Sequence, residues 1–228
     1  MQSKVKLSKR QIKEDKFTTF MLTSKQRFAD NWQFFVIGGV VVLLAIVGIA
    51  YFISSSASSG NQAATLFAQG MNDYRGGNRQ VSITTFQQIL DDHGGNQVAQ
   101  KSTYMLGQVN FELRNFAEAQ RYWNMYLDKY GDNKIDRAAA LAGIGASFEE
   151  QGDYVQGAAK FVEAVAQLPD GPMVPYYHAG AMRNYLLSNQ PDKAREQLDL
   201  IKEKYAETDV YMRAARYFAE KTAAGPRG

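Results

Sequence analysis

A short block recurs four times along this chain at a spacing of 37–38 residues. It opens on a turn former, places a small residue four positions on, and a bulky one four positions after that. It reads N-R-Q-V-S-x-x-x-F from Asn78 and N-F-A-E-A-x-x-x-W from Asn115. It returns as D-Y-V-Q-G-x-x-x-F from Asp153 and Q-P-D-K-A-x-x-x-L from Gln190. The small positions are Ser82, Ala119, Gly157 and Ala194; the bulky ones are Phe86, Trp123, Phe161 and Leu198. A repeat of this length constrains the fold more than any single motif, because each unit must bury its apolar face against the next.

Upstream of each block lies a second helical pattern in the same register. Twelve residues before each small residue stand Gly70, Gly107, Gly145 and, as a departure, Met182. Turn signals separate the two segments at Gly76-Gly77-Asn78, Arg114-Asn115, Gly152-Asp153 and Asn189-Gln190-Pro191. The unit is therefore helix, tight turn, helix, linker. Its copies fall at about 63–97, 98–134, 135–172 and 173–208. A last segment, 209–223, has no second helix after it and reads as a capping helix. Val210, Ala214, Tyr217 and Phe218 share its apolar side, and Arg213, Arg216 and Glu220 form a polar outer face. The expected fold is all-α: an α-solenoid of about four helix pairs plus a cap, over 63–228.

The pattern resembles the tetratricopeptide repeat (TPR). That family's Leu-Gly pair matches Leu106-Gly107 and, as Ile-Gly, Ile144-Gly145. Its Ala-x-x-x-Phe matches Ala119/Trp123 and, with Gly for Ala, Gly157/Phe161. The period is longer than the family's usual one, and the extra residues fit best in the linkers. The resemblance implies that the first helices of successive pairs line a groove for peptides or partner segments. Carried onto this sequence, that face holds Phe67, Met71 and Tyr74; Tyr104, Gln108 and Phe111; Ala142, Ala146 and Glu149; and Tyr176 and Arg183. The Lys-and-Asn set with which some members clamp an acidic C-terminus is not matched. The implied ligand is a hydrophobic or mixed segment of another protein.

Ahead of the repeats, FFVIGGVVVLLAIVGIAYFI (34–53) carries neither charge nor proline. At ~1.5 Å per residue such a helix spans the ~30 Å hydrocarbon layer. Residues 1–33 hold eight Lys and Arg against three acids, a net of +5. Since the whole chain carries +3, the remainder carries −2. By the positive-inside rule, the basic segment stays in the cytoplasm and the body crosses. The expected place is the bacterial inner membrane, single-pass, with a periplasmic body. Segment 1–33 suits an amphipathic helix on an anionic lipid surface, since Phe17, Phe20, Met21, Phe28 and Trp32 share a face. Residues 54–62, rich in Ser and Gly, read as a flexible tether. A cleaved signal peptide is the rival reading, but the apolar run is longer than a signal core.

Catalytic chemistry finds no footing. There is no cysteine, and His93 and His178 are the two histidines. Asp91, Asp92 and His93 are consecutive and cannot face one metal from a regular helix, and His178 has no acid at i ± 4. Gly76-Gly77 and Gly94-Gly95 follow helices, not the strand a phosphate loop needs. No nucleophile, base and orienter assemble, so a non-enzyme without cofactor, metal or small-molecule substrate is expected. Nucleic acid is not an expected partner, because the basic charge sits at one end. The whole arrangement resembles the ancillary subunit family of the bacterial SecYEG translocon (YfgM-like), which implies an adaptor between export machinery and periplasmic chaperones. The alternative is a structural subunit or organiser of another inner-membrane or cell-envelope complex, serving division or wall synthesis.

Overall fold

The computed structural model describes residues 32–131 and 133–223, with side chains described for 42–48 and from Gly60 onward. The chain divides into two units, Met1–Ser58 and Ser59–Gly228. In the first, the backbone is helical from Trp32, and Val42, Leu43, Leu44, Ile46 and Val47 are exposed. Among the described residues no helix is long and apolar enough to cross a membrane. The basic segment up to Asp30, and most side chains of the expected span 34–53, lie outside the described residues. The Ser/Gly-rich run 54–62 differs from the expected tether. Its backbone is helical throughout, within α1 (Trp32–Arg75). It contains no proline and is flanked by helix formers, so nothing in it stops a helix once one has begun.

The second unit continues from α1 through eight more helices: α2 (Arg79–His93), α3 (Gln97–Glu112), α4 (Phe116–Lys129), α5 (Lys134–Glu150), α6 (Tyr154–Gln167), α7 (Val174–Leu187), α8 (Pro191–Tyr205) and α9 (Asp209–Ala223). Consecutive helices pack as pairs, and α3 touches α5, α5 touches α7 and α7 touches α9. First helices thus stand side by side along one face.

Each tight turn is built alike. A residue in the left-handed region ends each first helix: Gly77 (φ 83°), Arg114 (φ 63°), Gly152 (φ 82°) and Asn189 (φ 60°). The next amide then donates back across the turn, from Asn78 to Asp73, Asn115 to Asn110, Asp153 to Phe148 and Gln190 to Tyr185, at 2.8–2.9 Å. This Schellman arrangement satisfies carbonyls that the helix end would otherwise orphan. The linkers start the following helices, with Asn96 Oδ1 accepting from the amides of Val98 and Ala99 and Asn133 Oδ1 from that of Ile135.

The core is strung along the repeat. Every cluster in it crosses a boundary between copies. Phe86 and Ile89 pack with Leu106 and Val109 of the next pair; Trp123 and Tyr126 with Ala140 and Ile144; Phe161 and Ala164 with Tyr177 and Ala181; Leu198 and Ile201 with Ala214 and Phe218. No pair could keep such a face in water, which is the physical reason a solenoid needs its neighbours.

The expected register of small and bulky residues holds in detail. A Cβ added to Gly70 would meet the Phe86 ring at 2.7 Å, and one on Gly145 would meet Phe161 at 3.1 Å. Where the bulky position shrinks to Leu198, the seat opposite grows to Met182, buried in the same cluster. Volume is conserved across the contact, as a close-packed interior requires. The departure at Gly157 has a separate cause. The Oδ1 of buried Asn184 lies 2.5 Å from where its Cβ would stand.

Candidate partner-binding face

The first-helix face can be followed residue by residue. Near the start of the solenoid, α1, α3 and α5 frame a cleft of about 610 Å³, with Phe67, Gln100, Lys101, Tyr104, Tyr126 and Asp136 among its walls. Phe67 stacks at a tilt on Phe86, ring centres 5.6 Å apart, and Tyr104 meets Tyr126 edge-on at 5.6 Å. Burial pushes the Tyr104 hydroxyl up to about 12, so the cleft presents a neutral phenol. Tyr126 accepts from Gln100 and donates to Asp136, both at 3.3 Å. The floor is aromatic and the rim polar, the usual make-up of a site that captures a side chain.

The middle of the face is closed by bonds between first helices. Glu112 on α3 accepts from Tyr74 on α1, from Gln108 at 3.1 Å, and from Arg79 at 2.8 Å. Burial pushes the Glu112 carboxyl up, but the hydrogen bonds from Tyr74, Gln108 and Arg79 and the Arg79 charge outweigh it and hold it below its ordinary value. One repeat on, Glu149 of α5 takes both Nε and Nη2 of Arg183 on α7, and Asn184 Nδ2 at 2.8 Å. Bidentate carboxylate–guanidinium pairs of this kind fix geometry as well as charge. Met71 packs into the first core cluster. Phe111 lies 5.5 Å from Phe116 and 6.0 Å from Trp123, against the core.

At the far end, α7 and α9 enclose a second cleft of about 380 Å³, lined in part by Tyr176, Arg183, Val210, Arg213, Arg216 and Tyr217. Tyr176 is 47% exposed. Here the structure changes the reading of the last helix. Val210, Ala214 and Phe218 are buried against α7 and α8, as the apolar side of a cap should be. Arg213, Arg216 and Glu220, expected on an outer face, instead line this cleft. The reason is positional: α9 occupies the place of a fifth first helix beside α7, so its polar side borders the first-helix face.

Of the eleven residues that the sequence nominates, the structure brings Phe67 and Tyr104 to the first cleft and Tyr176 and Arg183 to the second, while Ala142 and Ala146 pack against the core. Met71, Tyr74, Gln108, Phe111 and Glu149 hold helices together. Tyr126, Gln100 and Asp136 escaped sequence reading because they come from a second helix and from first-helix positions near the linkers. His178 Nδ1 pairs with Gln197 at 2.8 Å. Among the described residues no group of three His, Asp or Glu side chains could hold a metal ion.

Comparison with known proteins follows the architecture. A family model described as a tetratricopeptide repeat-like domain matches residues 25–173. No curated protein matches the chain. A tetratricopeptide repeat protein from Parabacteroides merdae superposes with a TM-score of 0.61 at 12% identity, over 71% of this chain and 60% of its own. The chain thus spans less than two thirds of that protein. MamA from Desulfovibrio magneticus gives 0.55 at 16% identity, over 64% of this chain and 77% of its own. YrrB, described as a TPR protein with an unusual peptide-binding site, gives 0.55 at 18% identity, over 68% and 74%. At such identities the likeness is one of fold.

Proposed function

The chain belongs to the tetratricopeptide repeat-like domain family, and we propose that it is a membrane-anchored adaptor whose first-helix face captures segments of partner proteins. The observation that carries this reading is the pair of aromatic-floored clefts at Tyr104 and Tyr176, on a face otherwise locked by inter-repeat bonds. A rigid face with open aromatic sockets suits recognition, because large rings bury much area at little entropic cost. The peptide-binding site attributed to YrrB, a protein of similar fold, supports the same use.

The anchor and its side of the membrane are argued from the uncharged run 34–53 and the net +5 before it. They would put the adaptor in a bacterial inner membrane with its body in the periplasm. Its partners there would be the translocon or chaperones that receive exported chains. The test is chemical cross-linking in intact cells, followed by purification of the full chain from solubilised membranes. Translocon subunits or periplasmic chaperones should be cross-linked through Tyr104 and Tyr176 positions carrying photoreactive side chains. Cross-links to division or wall-synthesis proteins alone would shift the role to that complex. None from either position would remove the face from consideration.

A further inference from the structure

The two clefts differ in charge, and the difference assigns a ligand class to the second. Around the α7–α9 cleft stand three guanidinium groups: Arg183, Arg213 and Arg216. Arg183 already serves Glu149 through Nε and Nη2. Arg213 donates from Nε to the Asp209 carbonyl at 3.3 Å, and among the described residues no carboxylate forms an ion pair with it. Arg216 meets Glu220 at 3.7 Å with both side chains exposed, 76% and 67%, a contact worth little. Glu220 lines the cleft beside them, so with Arg183 paired to Glu149 the mouth keeps a net positive charge centred on Arg213. Below them lies an apolar floor of Tyr176, Val210, Ala214 and Tyr217.

Resting on the adaptor reading above, we infer that this cleft takes an acidic segment of a partner protein, one whose Asp or Glu side chains flank an apolar residue. The apolar residue seats on the floor between Tyr176 and Tyr217, and the carboxylates meet Arg213 and Arg216. Guanidinium suits this role, since its fork holds a carboxylate by two donors and sheds water more readily than an ammonium. The first cleft lacks the feature: its cation Lys101 shares the rim with Asp136, so the net field there is small.

A second copy of this chain is the competing occupant, because α8 carries its own acidic stripe of Asp192, Glu196, Asp199 and Glu203, all exposed. Such a contact would join two different faces and propagate, not close on itself.

The test uses the full chain in lipid nanodiscs and one fluorescent peptide in three forms, bearing glutamates, glutamines or lysines around a central leucine. Fluorescence polarisation should rank the glutamate form tightest, with affinity falling as salt rises. Arg213→Glu with Arg216→Glu should weaken the glutamate form by about tenfold or more and leave the glutamine form near wild type. Arg213→Gln with Arg216→Gln gives a milder loss in the same direction, and Lys202→Glu, exposed on α8 and outside both clefts, gives none. Both arginines are exposed, so a thermal melt should show the variants folded. Equal binding of glutamate and glutamine forms overturns the acidic assignment and leaves the adaptor reading standing. Binding of no form counts against both. Self-association in sedimentation that vanishes in the double variant overturns the partner assignment in favour of a second copy.

Discussion

A Cβ on Gly107 would stand 2.5 Å from the indole nitrogen of Trp123, so the ring lies directly on the glycine's backbone. The same indole presses on Gly143 of the next helix pair, where a Cβ would come within 2.7 Å of its far edge. Phe161 repeats the arrangement, touching Gly145 in its own pair and Gly180 in the next. In the second and third units one aromatic thus joins two first helices, and the glycines are small because the ring needs their space. The repeat is legible in sequence for this reason.

Trp123, 2% exposed, is the largest of these wedges. Trp123→Ala is expected to cost ~3–5 kcal/mol, the range for deleting a buried large aromatic. Gly107→Ala should also destabilise, by overpacking, in a contact that has no room to yield. Denaturant melts of both variants check this. A loss under ~1 kcal/mol for Trp123→Ala, the scale of a surface change, would mean that the ring does not join the pairs.

Arg114 holds a left-handed backbone, φ 63°, where two other turns use glycine. Its side chain reaches Glu150 at 3.0 Å, but the arginine is 73% exposed, so that pair contributes little. Arg114→Gly should therefore raise stability by ~0.5–1 kcal/mol, since only glycine adopts this conformation without steric cost. Arg114→Ala keeps the strain, loses the pair and should fall below wild type. Matched thermal melts decide, and an unchanged or lowered midpoint for the glycine variant would count against strain at this turn.

Glu112 gathers Tyr74, Gln108 and Arg79, and its carboxyl is held below the ordinary value of 4.5. A folded-state pKa lowered in this way stabilises the fold above the unfolded value and loses that contribution as pH falls through the folded one. Glu112→Gln should thus be less stable than wild type at pH 7. The gap should narrow below about pH 4.5, where the unfolded chain takes up the proton first. Parallel urea titrations at neutral and acid pH give the comparison. A gap that stays constant would show that the carboxylate charge is not what binds α1 to α3.

Reading the sequence worked where a local demand narrows the choice of residue sharply. The left-handed turn at Gly77 and Gly152, the glycine seats and the aromatic wedges are of that kind. It fell short where several residues share a helical face and a neighbour decides among them. Phe111 and Tyr176 both map to the first-helix face, yet Phe111 is covered by Trp123 and Phe116 while Tyr176 stays open. A helical wheel of α9 separates apolar from polar sides but does not say which helix the polar side will border. A row of buried polar residues also passed unnoticed, although it keeps the 37-residue period: Asn110, Ser147 and Asn184. Each donates to the carbonyl four residues back, at Leu106, Gly143 and Gly180 respectively. Such groups bond back to their own helix, Asn184 donating to Glu149 as well, and leave no mark on its hydrophobic pattern.

That distinction between covered and open rings can be measured on one pair of variants. Phe111→Ala removes a ring packed against Trp123 and should cost ~3 kcal/mol or more in stability, with binding altered through the fold. Tyr176→Ala removes a ring that is 47% exposed at the mouth of the α7–α9 cleft, and should change stability by less than ~0.5 kcal/mol. Its effect belongs to capture: a ring anchoring a ligand typically accounts for ~2 kcal/mol, or roughly thirtyfold in affinity. Both quantities should be read on the same preparations, by thermal melt and by polarisation with the glutamate peptide. Loss of stability in Tyr176→Ala would make it a packing residue like Phe111. Full stability with full affinity would move recognition to the cleft at Tyr104, whose floor of Phe67 and Tyr126 is then the next to remove.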